Sequence, residues 1–382
     1  MSRPRVVYWN NIPAPYMVER FNALAARGAF EFEAWFNAPR EPDRSWSVDP
    51  AAWRFPYRFL PAPGAGRHRL PLPTPLLGPR PPDLLISLYA GAPFVLGWQA
   101  ARRRGVRTAF WCEVTFDRWV PRRPWKEGLK RYLFSRVDGV VTPGPNGRAY
   151  AQRYGADPAR VFLAPHAVDR RHFLGGSAAA RRSRDRWRAE AGARGVTFLY
   201  VGRLWRGKGL DTLLTAFALL RCRLEGEATL LLVGDGPEEG RLRDRCRREG
   251  IRGVAFAGFR PKEDLPRWYA AADAFVFPTL GDPYGLAVDE AMTCGLPVVC
   301  TTAAGEVRER LEDGVTGFLV PPGDATALLN PMLRLACDPA LRGRLGAAAR
   351  RRLAGRTPER WAADLERAAW ALLSLPRRRE AP

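Results

Sequence analysis

Short apolar runs alternate with amphipathic stretches along most of the chain. Val6–Trp9, Phe30–Phe36, Leu84–Ser87, Thr108–Trp111, Gly139–Thr142 and Val161–Ala164 are compact and rich in β-branched or aromatic residues, which predicts strands. Between them, Tyr16–Arg27 places Met17, Phe21, Leu24 and Ala25 at helical spacing, and Phe94–Arg104 reads as a second helix. From Val196 the alternation resumes. Strands are expected at Val196–Val201, Thr229–Val233, Gly253–Ala257, Ala274–Phe277, Pro297–Cys300 and Gly317–Val320. Helices are expected at Gly209–Leu224, Glu238–Glu249, Leu265–Ala271, Leu286–Cys294 and Ala325–Cys337. Strand, helix, strand in this order implies parallel sheets joined by helical crossovers.

Two stretches break the rhythm. Residues 38–82 hold many Pro and several Arg without a period, and read as a long excursion with a strand near Phe55–Leu60. Residues 169–195 are rich in Arg and Ala, carry no strand pattern and are interrupted by Gly175-Gly176-Ser177. They divide the chain into a first domain at 1–170, a junction at 171–195 and a second domain at 196–356. A last helix, Pro358–Leu373, shows an apolar stripe of Trp361, Leu365, Ala368 and Leu372. With its basic tail it makes a segment, 357–382, open to packing on either domain, including a crossing back to the first. The length of 382 residues suits two α/β domains, each of roughly 170–200 residues. Doubly wound sheets bind ligands beyond the carboxyl ends of their strands, so two such sheets are expected to bind across a cleft.

Charge changes this picture less than it first suggests. The net charge is +22, and 57 of the 61 basic residues are Arg. Ala, Gly and Pro are heavily used as well, a joint skew that matches a GC-rich coding sequence rather than a phosphate-tracking face. Nucleic acid is therefore not the expected partner, while a basic surface still favours nucleotide sugars, lipid phosphates and anionic membranes. The six Cys form no C-x-x-C pair and no Cys/His cluster of metal-binding spacing. They read as reduced thiols of a cytosolic protein. The start, Met1-Ser2-Arg3-Pro4-Arg5, lacks the apolar stretch of a signal peptide. No run approaches the ~18 apolar residues of a membrane span, so a cytoplasmic protein is expected, soluble or peripheral on the inner face of the plasma membrane. Phe116–Arg136 interleaves Trp119, Trp125, Tyr132, Leu133 and Phe134 with seven basic and two acidic residues. It reads either as an ordinary crossover helix or as a surface for an anionic leaflet.

Three constellations carry chemistry. Gly202-Arg203, followed by Lys208-Gly209 at a helix start, combines two flexible residues, two cations and free amides, a set suited to a diphosphate. Gly234-Asp235-Gly236-Pro237 is neither a P-loop nor a complete dinucleotide fingerprint, and a tight turn explains it. Gly281-Asp282-Pro283-Tyr284-Gly285-Leu286 leads into a helix that carries Glu290, with Asp282 and Glu290 eight positions apart. Carboxylates suit sugar and ribose hydroxyls, and the amides between them suit phosphate oxygens. Asp282 read blandly is a helix cap, and Glu290 a solvated side chain.

These motifs resemble the C-terminal domain of retaining glycosyltransferase family 4, the group 1 glycosyl transferases. The resemblance runs through Gly202-Arg203…Lys208-Gly209, Gly234–Pro237, Gly258-Phe259, Asp282-x(7)-Glu290, Cys294-Gly295-Leu296-Pro297-Val298 and Gly317–Asp324, over roughly residues 196–325. It implies an α/β fold of the GT-B type, two doubly wound Rossmann-like domains facing across a cleft. It implies retaining transfer of a hexose from a nucleoside diphosphate sugar, UDP- or GDP-linked, to a glycan, lipid-linked or small-molecule acceptor, with no metal or other cofactor. Arg203 and Lys208 would hold the diphosphate, Glu290 the ribose and Asp282 the sugar. Tyr284, Gly285 and Leu286 would offer amides to sugar and phosphate. Gly258 and Phe259 would meet the base, with Gly202, Gly234 and Gly236 also on the donor side.

Departures from the family pattern fall on both halves. Asp282 stands where the family has Glu, one methylene longer. The loop after the first strand, containing Asn11, lacks the family's glycines, and Glu113 follows a strand where many members have His. Asn11 and Glu113 are therefore the acceptor-side candidates, whereas His166, at a position where the family often has Asn, reads as a turn residue. Two other readings stay open, a non-catalytic GT-B module that binds sugar or protein and a GT-B sugar-nucleotide epimerase. Donor hydrolysis or transfer separates the enzyme from the binding module.

Overall fold

Thirteen strands form among the described residues, all of them parallel to their sheet neighbours. A computed structural model describes residues 3–40, 49–60, 78–88, 91–114 and 124–377. In the first half the strands are β1 (Arg5–Asn10), β2 (Glu31–Phe36), β3 (Tyr57–Phe59), β4 (Leu84–Leu88), β5 (Arg107–Trp111), β6 (Gly139–Thr142) and β7 (Val161–Leu163). In the second they are β8 (Val196–Val201), β9 (Ala228–Val233), β10 (Val254–Gly258), β11 (Ala274–Phe277), β12 (Val298–Thr301) and β13 (Gly317–Val320). Described residues within 1–167 together with 358–377 make one unit, and residues 168–357 make the other.

Each sheet is wound outward from an interior strand. The first has the order β3-β2-β1-β4-β5-β6-β7 and the second β10-β9-β8-β11-β12-β13. Strands β9, β11 and β12 are buried along their whole length, as expected of strands covered by helices on both faces. The helix Leu210–Arg223 places Leu213, Leu214, Phe217 and Leu220 in that core, each fully buried. In the first unit the helix Pro358–Ser374 buries Trp361, Leu365, Ala368 and Leu372, the stripe read from the sequence, against Phe21, Trp111 and their neighbours.

Other elements were not announced by the pattern. Residues 171–190 form a π-helical turn, Arg171–Gly175, and two short helices, Gly176–Arg181 and Arg184–Glu190. Polar anchoring holds them rather than an apolar stripe. Arg184 donates to Asp273 Oδ1 at 2.7 Å and Arg188 to Asp273 Oδ2 at 3.1 Å. The helix Pro339–Arg352 has only sparse apolar positions, Leu341, Leu345 and Ala349, and is started by Asp338, whose side chain accepts from the Leu341 amide at 2.8 Å. No helix of the described residues is long and apolar enough to cross a membrane.

Candidate donor site

In the second sheet β8 lies between β9 and β11, so the winding reverses beside β8. Such a switch point opens a crevice at the carboxyl ends of the two diverging strands. The segment after β8 carries Arg203 and Lys208, and the segment after β11 carries Asp282 to Glu290. Gly234–Pro237 follows β9 and Phe259 follows β10, the next strands along. The four motif-bearing strands are thus consecutive in space, although their motifs span nearly ninety positions of chain.

Lys208 ends a tight turn, Arg206–Lys208, that is tied to the exit of β11. Thr279 Oγ1 donates to the Gly207 carbonyl at 3.1 Å, and the Leu280 amide donates to the same oxygen at 2.9 Å. Lys208 Nζ makes an ion pair with Asp282 Oδ2 and lies 5.3 Å from the centre of the Phe277 ring. The two side chains are only 15% and 12% exposed. Burial alone would raise the Asp282 carboxyl, but the Lys208 ammonium and the Tyr284 amide hold it below its ordinary value. Arg203 is half-buried beyond the end of β8. Trp205, between these two cations in sequence and 39% exposed, was not singled out from the sequence.

The loop from Asp282 to Leu286 is held from below. The Asp282 amide donates to the Ala303 carbonyl at 3.2 Å, and the Gly305 amide donates to the Asp282 carbonyl at 2.9 Å. Arg310 is fully buried and reaches up into the loop. It donates to Asp289 Oδ1 at 2.5 Å, to the Gly285 carbonyl at 3.2 Å, to the Gly305 carbonyl at 2.9 Å and to the Tyr284 carbonyl. Gly285 has φ 76°, and a Cβ there would lie 2.8 Å from the Phe277 ring, so both backbone and space require glycine. Leu286 then begins the helix Leu286–Thr293, whose first amides have no acceptor within the helix.

Glu290 lies on that helix and accepts from the Tyr269 hydroxyl at 2.7 Å. Burial raises its pKa to about 7, although the Tyr269 hydroxyl and Lys262 act in the opposite direction. The preceding residue, Asp289, points the other way into the pair with Arg310. Successive helical positions are about 100° apart, which separates two adjacent carboxylates into a structural one and an available one.

Several expected donor contacts take a different form. The Tyr284 amide is not offered outward, since it donates to Asp282 Oδ1 at 2.9 Å, and the ring is 3% exposed. Its hydroxyl accepts from Arg356 at 2.8 Å, so Tyr284 is a pillar of the loop. Gly234 and Gly236 brace backbone. A Cβ at Gly234 would meet the Gly202 carbonyl oxygen at 2.0 Å, and one at Gly236 the Leu204 carbonyl oxygen at 2.3 Å. Their lack of a side chain lets the turn after β9 pack on the Gly202–Leu204 segment, an internal need. Gly258 ends β10 with open space around it, and Phe259 is 36% exposed. Asp289, Arg310 and Tyr269 were missed in the sequence. Asp289 is legible in retrospect as the second acid of an Asp-Glu pair on one helix, but nothing sets Arg310 apart from Arg308.

Sequence comparison with known protein families points to this unit. Residues 195–338 match the family model described as Glycosyl transferases group 1. The second half of the chain is therefore similar to that family. A D-inositol 3-phosphate glycosyltransferase of Kribbella flavida is 33% identical over 205 residues, covering 51% of this chain and 47% of the relative. One of the same description from Frankia alni is 36% identical over 214 residues, covering 53% and 51%. The chain thus spans about half the length of the curated relatives it matches. Among solved structures, Anabaena HepE in complex with UDP and glucose superposes with a TM-score of 0.77 at 18% identity, covering 96% of this chain and all of that one. Sucrose-phosphate synthase of Thermosynechococcus elongatus gives 0.77 at 23% identity, covering 97% and 100%. At these identities the likeness establishes the fold, two doubly wound units of the GT-B glycosyltransferase type.

Asn11 and Glu113, the acceptor-side candidates, lie in the first unit beyond β1 and β5. Asn11 Oδ1 accepts from Asn37 at 3.3 Å. In the segment Phe116–Arg136, Trp119, Arg118, Arg122 and Arg123 lie outside the described residues. The remainder forms the helix Pro124–Phe134, with Leu133 and Phe134 in the core.

Proposed function

We propose that this chain is a group 1 glycosyltransferase, a retaining hexosyltransferase that uses a UDP- or GDP-linked sugar, without a metal, and delivers it to a glycan, lipid-linked or small-molecule acceptor. The observation that carries the reading is the convergence of Arg203, the Lys208–Asp282 pair, the amides opening the helix Leu286–Thr293 and Glu290 around one switch point. A diphosphate entering there meets the Lys208 ammonium, Arg203 and free amides, which stabilise negative charge as the bond to the sugar breaks. Asp282 then faces sugar hydroxyls, and Glu290 accepts from the ribose. The acceptor hydroxyl attacks on the side from which the diphosphate departs, so no enzyme nucleophile is required. HepE, solved with UDP-glucose, supports a nucleotide donor as the class of ligand. The inositol phosphate acceptor of the sequence relatives is not carried over, because only about half of each relative is matched.

The two carboxylates have separable roles, and pH separates them further. The folded Glu290 value, about 7, lies above the ordinary 4.5, so ionising it costs stability. That cost is absent below about pH 4.5 and complete above about pH 7. Glu290→Gln is therefore expected to raise the melting temperature at pH 8, to change it little near pH 4, and to weaken binding of the bare nucleoside diphosphate. In the wild type, nucleotide affinity is expected to rise from pH 6 to pH 8 as the carboxylate becomes the acceptor of ribose hydroxyls. Asp282→Asn is expected to reduce transfer more than nucleotide binding. Calorimetric titration beside a transfer assay checks this, and equal losses in both variants would remove the division of roles.

The helix Pro124–Phe134 supports a peripheral membrane role on the cytoplasmic face. Trp125, Leu129 and Tyr132 are 62%, 38% and 43% exposed and lie at i, i+4 and i+7, on one face. Lys126 and Arg131 are exposed on the same helix. Sedimentation with phosphatidylglycerol vesicles at low salt is expected to capture the wild type. A Trp125→Ser, Leu129→Ser, Tyr132→Ser variant should stay in solution, as should the wild type with phosphatidylcholine vesicles. Equal behaviour in all arms leaves a soluble acceptor.

A further inference from the structure

The second unit holds a small cavity that the donor chemistry does not use. It is lined by the helices Arg184–Glu190 and Leu265–Ala271 and by the segment after β10. Its volume is about 120 Å³, and its polar lining is Trp187, Glu190, Arg260, Arg267 and Trp268. Arg260 follows Phe259 in sequence, yet none of the donor-site candidates lines the cavity.

The hydrogen bonding of these residues is incomplete. Trp187 Nε1, Trp268 Nε1 and Arg260 Nε are buried and have no acceptor among the described residues. Among the described residues of the second unit there are four such side-chain atoms, and three belong to this lining. Buried donors in folded proteins nearly always find an acceptor, so three gathered around one cavity call for a physical cause. The charge is incomplete as well. Arg267 pairs with Asp264 at 2.7 Å, and Arg186 pairs with Glu190 at 2.8 Å. Arg260 makes no ion pair among the described residues and lies over the Trp268 ring at 5.1 Å. Arg267 lies over the Trp187 ring at 5.3 Å. A guanidinium that meets a ring through its face keeps its N–H edge for an acceptor.

Indole and guanidinium groups donate and do not accept. Only Glu190 brings a side-chain acceptor to the lining, and Arg186 already engages it. A complementary ligand therefore brings acceptor oxygens and a negative charge to set against Arg260. Sites for drug-sized ligands run from about 300 Å³ upwards, so this cavity suits a small group and not a nucleotide or a sugar chain.

We infer that this cavity binds a small oxyanion, a carboxylate or phosphate group, through Arg260 and the indole N–H groups of Trp187 and Trp268. Such an anion supplies the missing acceptors and ties two helices to the segment after β10. The inference is independent of the sugar-transfer reading, since it uses other residues and needs no donor.

The test is NMR of the full chain carrying isotope-labelled tryptophan, titrated with sodium acetate and with sodium phosphate while sodium chloride keeps the ionic strength constant. Trp187→Phe and Trp268→Phe identify the two indole N–H signals, because each removes one donor and keeps an aromatic ring. At least one of the two anions is expected to shift both signals saturably and to raise the melting temperature of the wild type. A response to phosphate alone assigns a phosphate group, and a response to acetate alone a carboxylate. Arg260→Met should weaken the response about tenfold or more, the scale of a lost charged hydrogen bond. The inference is overturned if neither anion shifts both indole signals saturably, or if Arg260→Met titrates like the wild type.

Discussion

In a Lys208→Ala variant, turnover of the sugar donor is expected to fall by about two orders of magnitude or more, with the fold intact. Two effects combine. The variant loses a preorganised cation at the departing diphosphate, a loss that typically costs about 10²–10³ in rate. It also leaves the Asp282 carboxylate, only 12% exposed, without its counter-ion and facing an incoming anion. The second effect predicts a partial rescue. Lys208→Ala with Asp282→Asn should recover nucleotide affinity relative to Lys208→Ala alone, yet not recover transfer, because the sugar loses its carboxylate. Release of nucleoside diphosphate, followed with a melting curve for each variant, measures both. Turnover within about threefold of wild type in a folded Lys208→Ala protein would remove Lys208 from the charge-stabilising role.

The second large effect concerns stability. Arg310 and Asp289 are 0% and 1% exposed, and the guanidinium also serves the carbonyls of Tyr284, Gly285 and Gly305. Removing one member of such a pair strands a buried charge and costs about 3–5 kcal/mol. For a unit of this size that corresponds to roughly 6–20 °C in melting temperature. Arg310→Met should therefore melt far lower than wild type. Arg310→Met with Asp289→Leu should recover part of the loss, because the stranded carboxylate is gone while the loop carbonyls still lack donors. A shift below about 3 °C in Arg310→Met would show that the loop is held by other contacts.

What could be read without coordinates follows the range of the interaction concerned. The strands of both sheets are local apolar runs, and their order with intervening helices implied parallel winding before any contact was known. The donor motifs were legible because glycines, cations and carboxylates at strand ends leave a local mark. Their convergence is a property of strand order, with β8 and β11 adjacent despite the seventy-odd residues between them. Arg310 and Arg20 were not legible, since in a chain with 57 Arg an individual guanidinium carries no signal until its buried partner is seen. Gly234 and Gly236 agree with the tight turn read from their spacing, and the backbone carbonyls at 2.0 and 2.3 Å from a Cβ give its physical reason. His166 read as a turn residue because its neighbours in sequence are turn-like, whereas its partners, Arg20 and Glu113, come from two other elements.

The central claim is that the switch point beside β8 is the site of a nucleoside diphosphate sugar. Its most direct measurement is calorimetric titration of the full chain with UDP and with GDP in the presence of EDTA, for wild type and Lys208→Ala. One of the two nucleotides is expected to bind the wild type one-to-one despite the chelator, with affinity at least about tenfold lower in Lys208→Ala, the scale of a lost charged hydrogen bond. Absence of binding for both nucleotides, or equal affinity in wild type and Lys208→Ala, would contradict it.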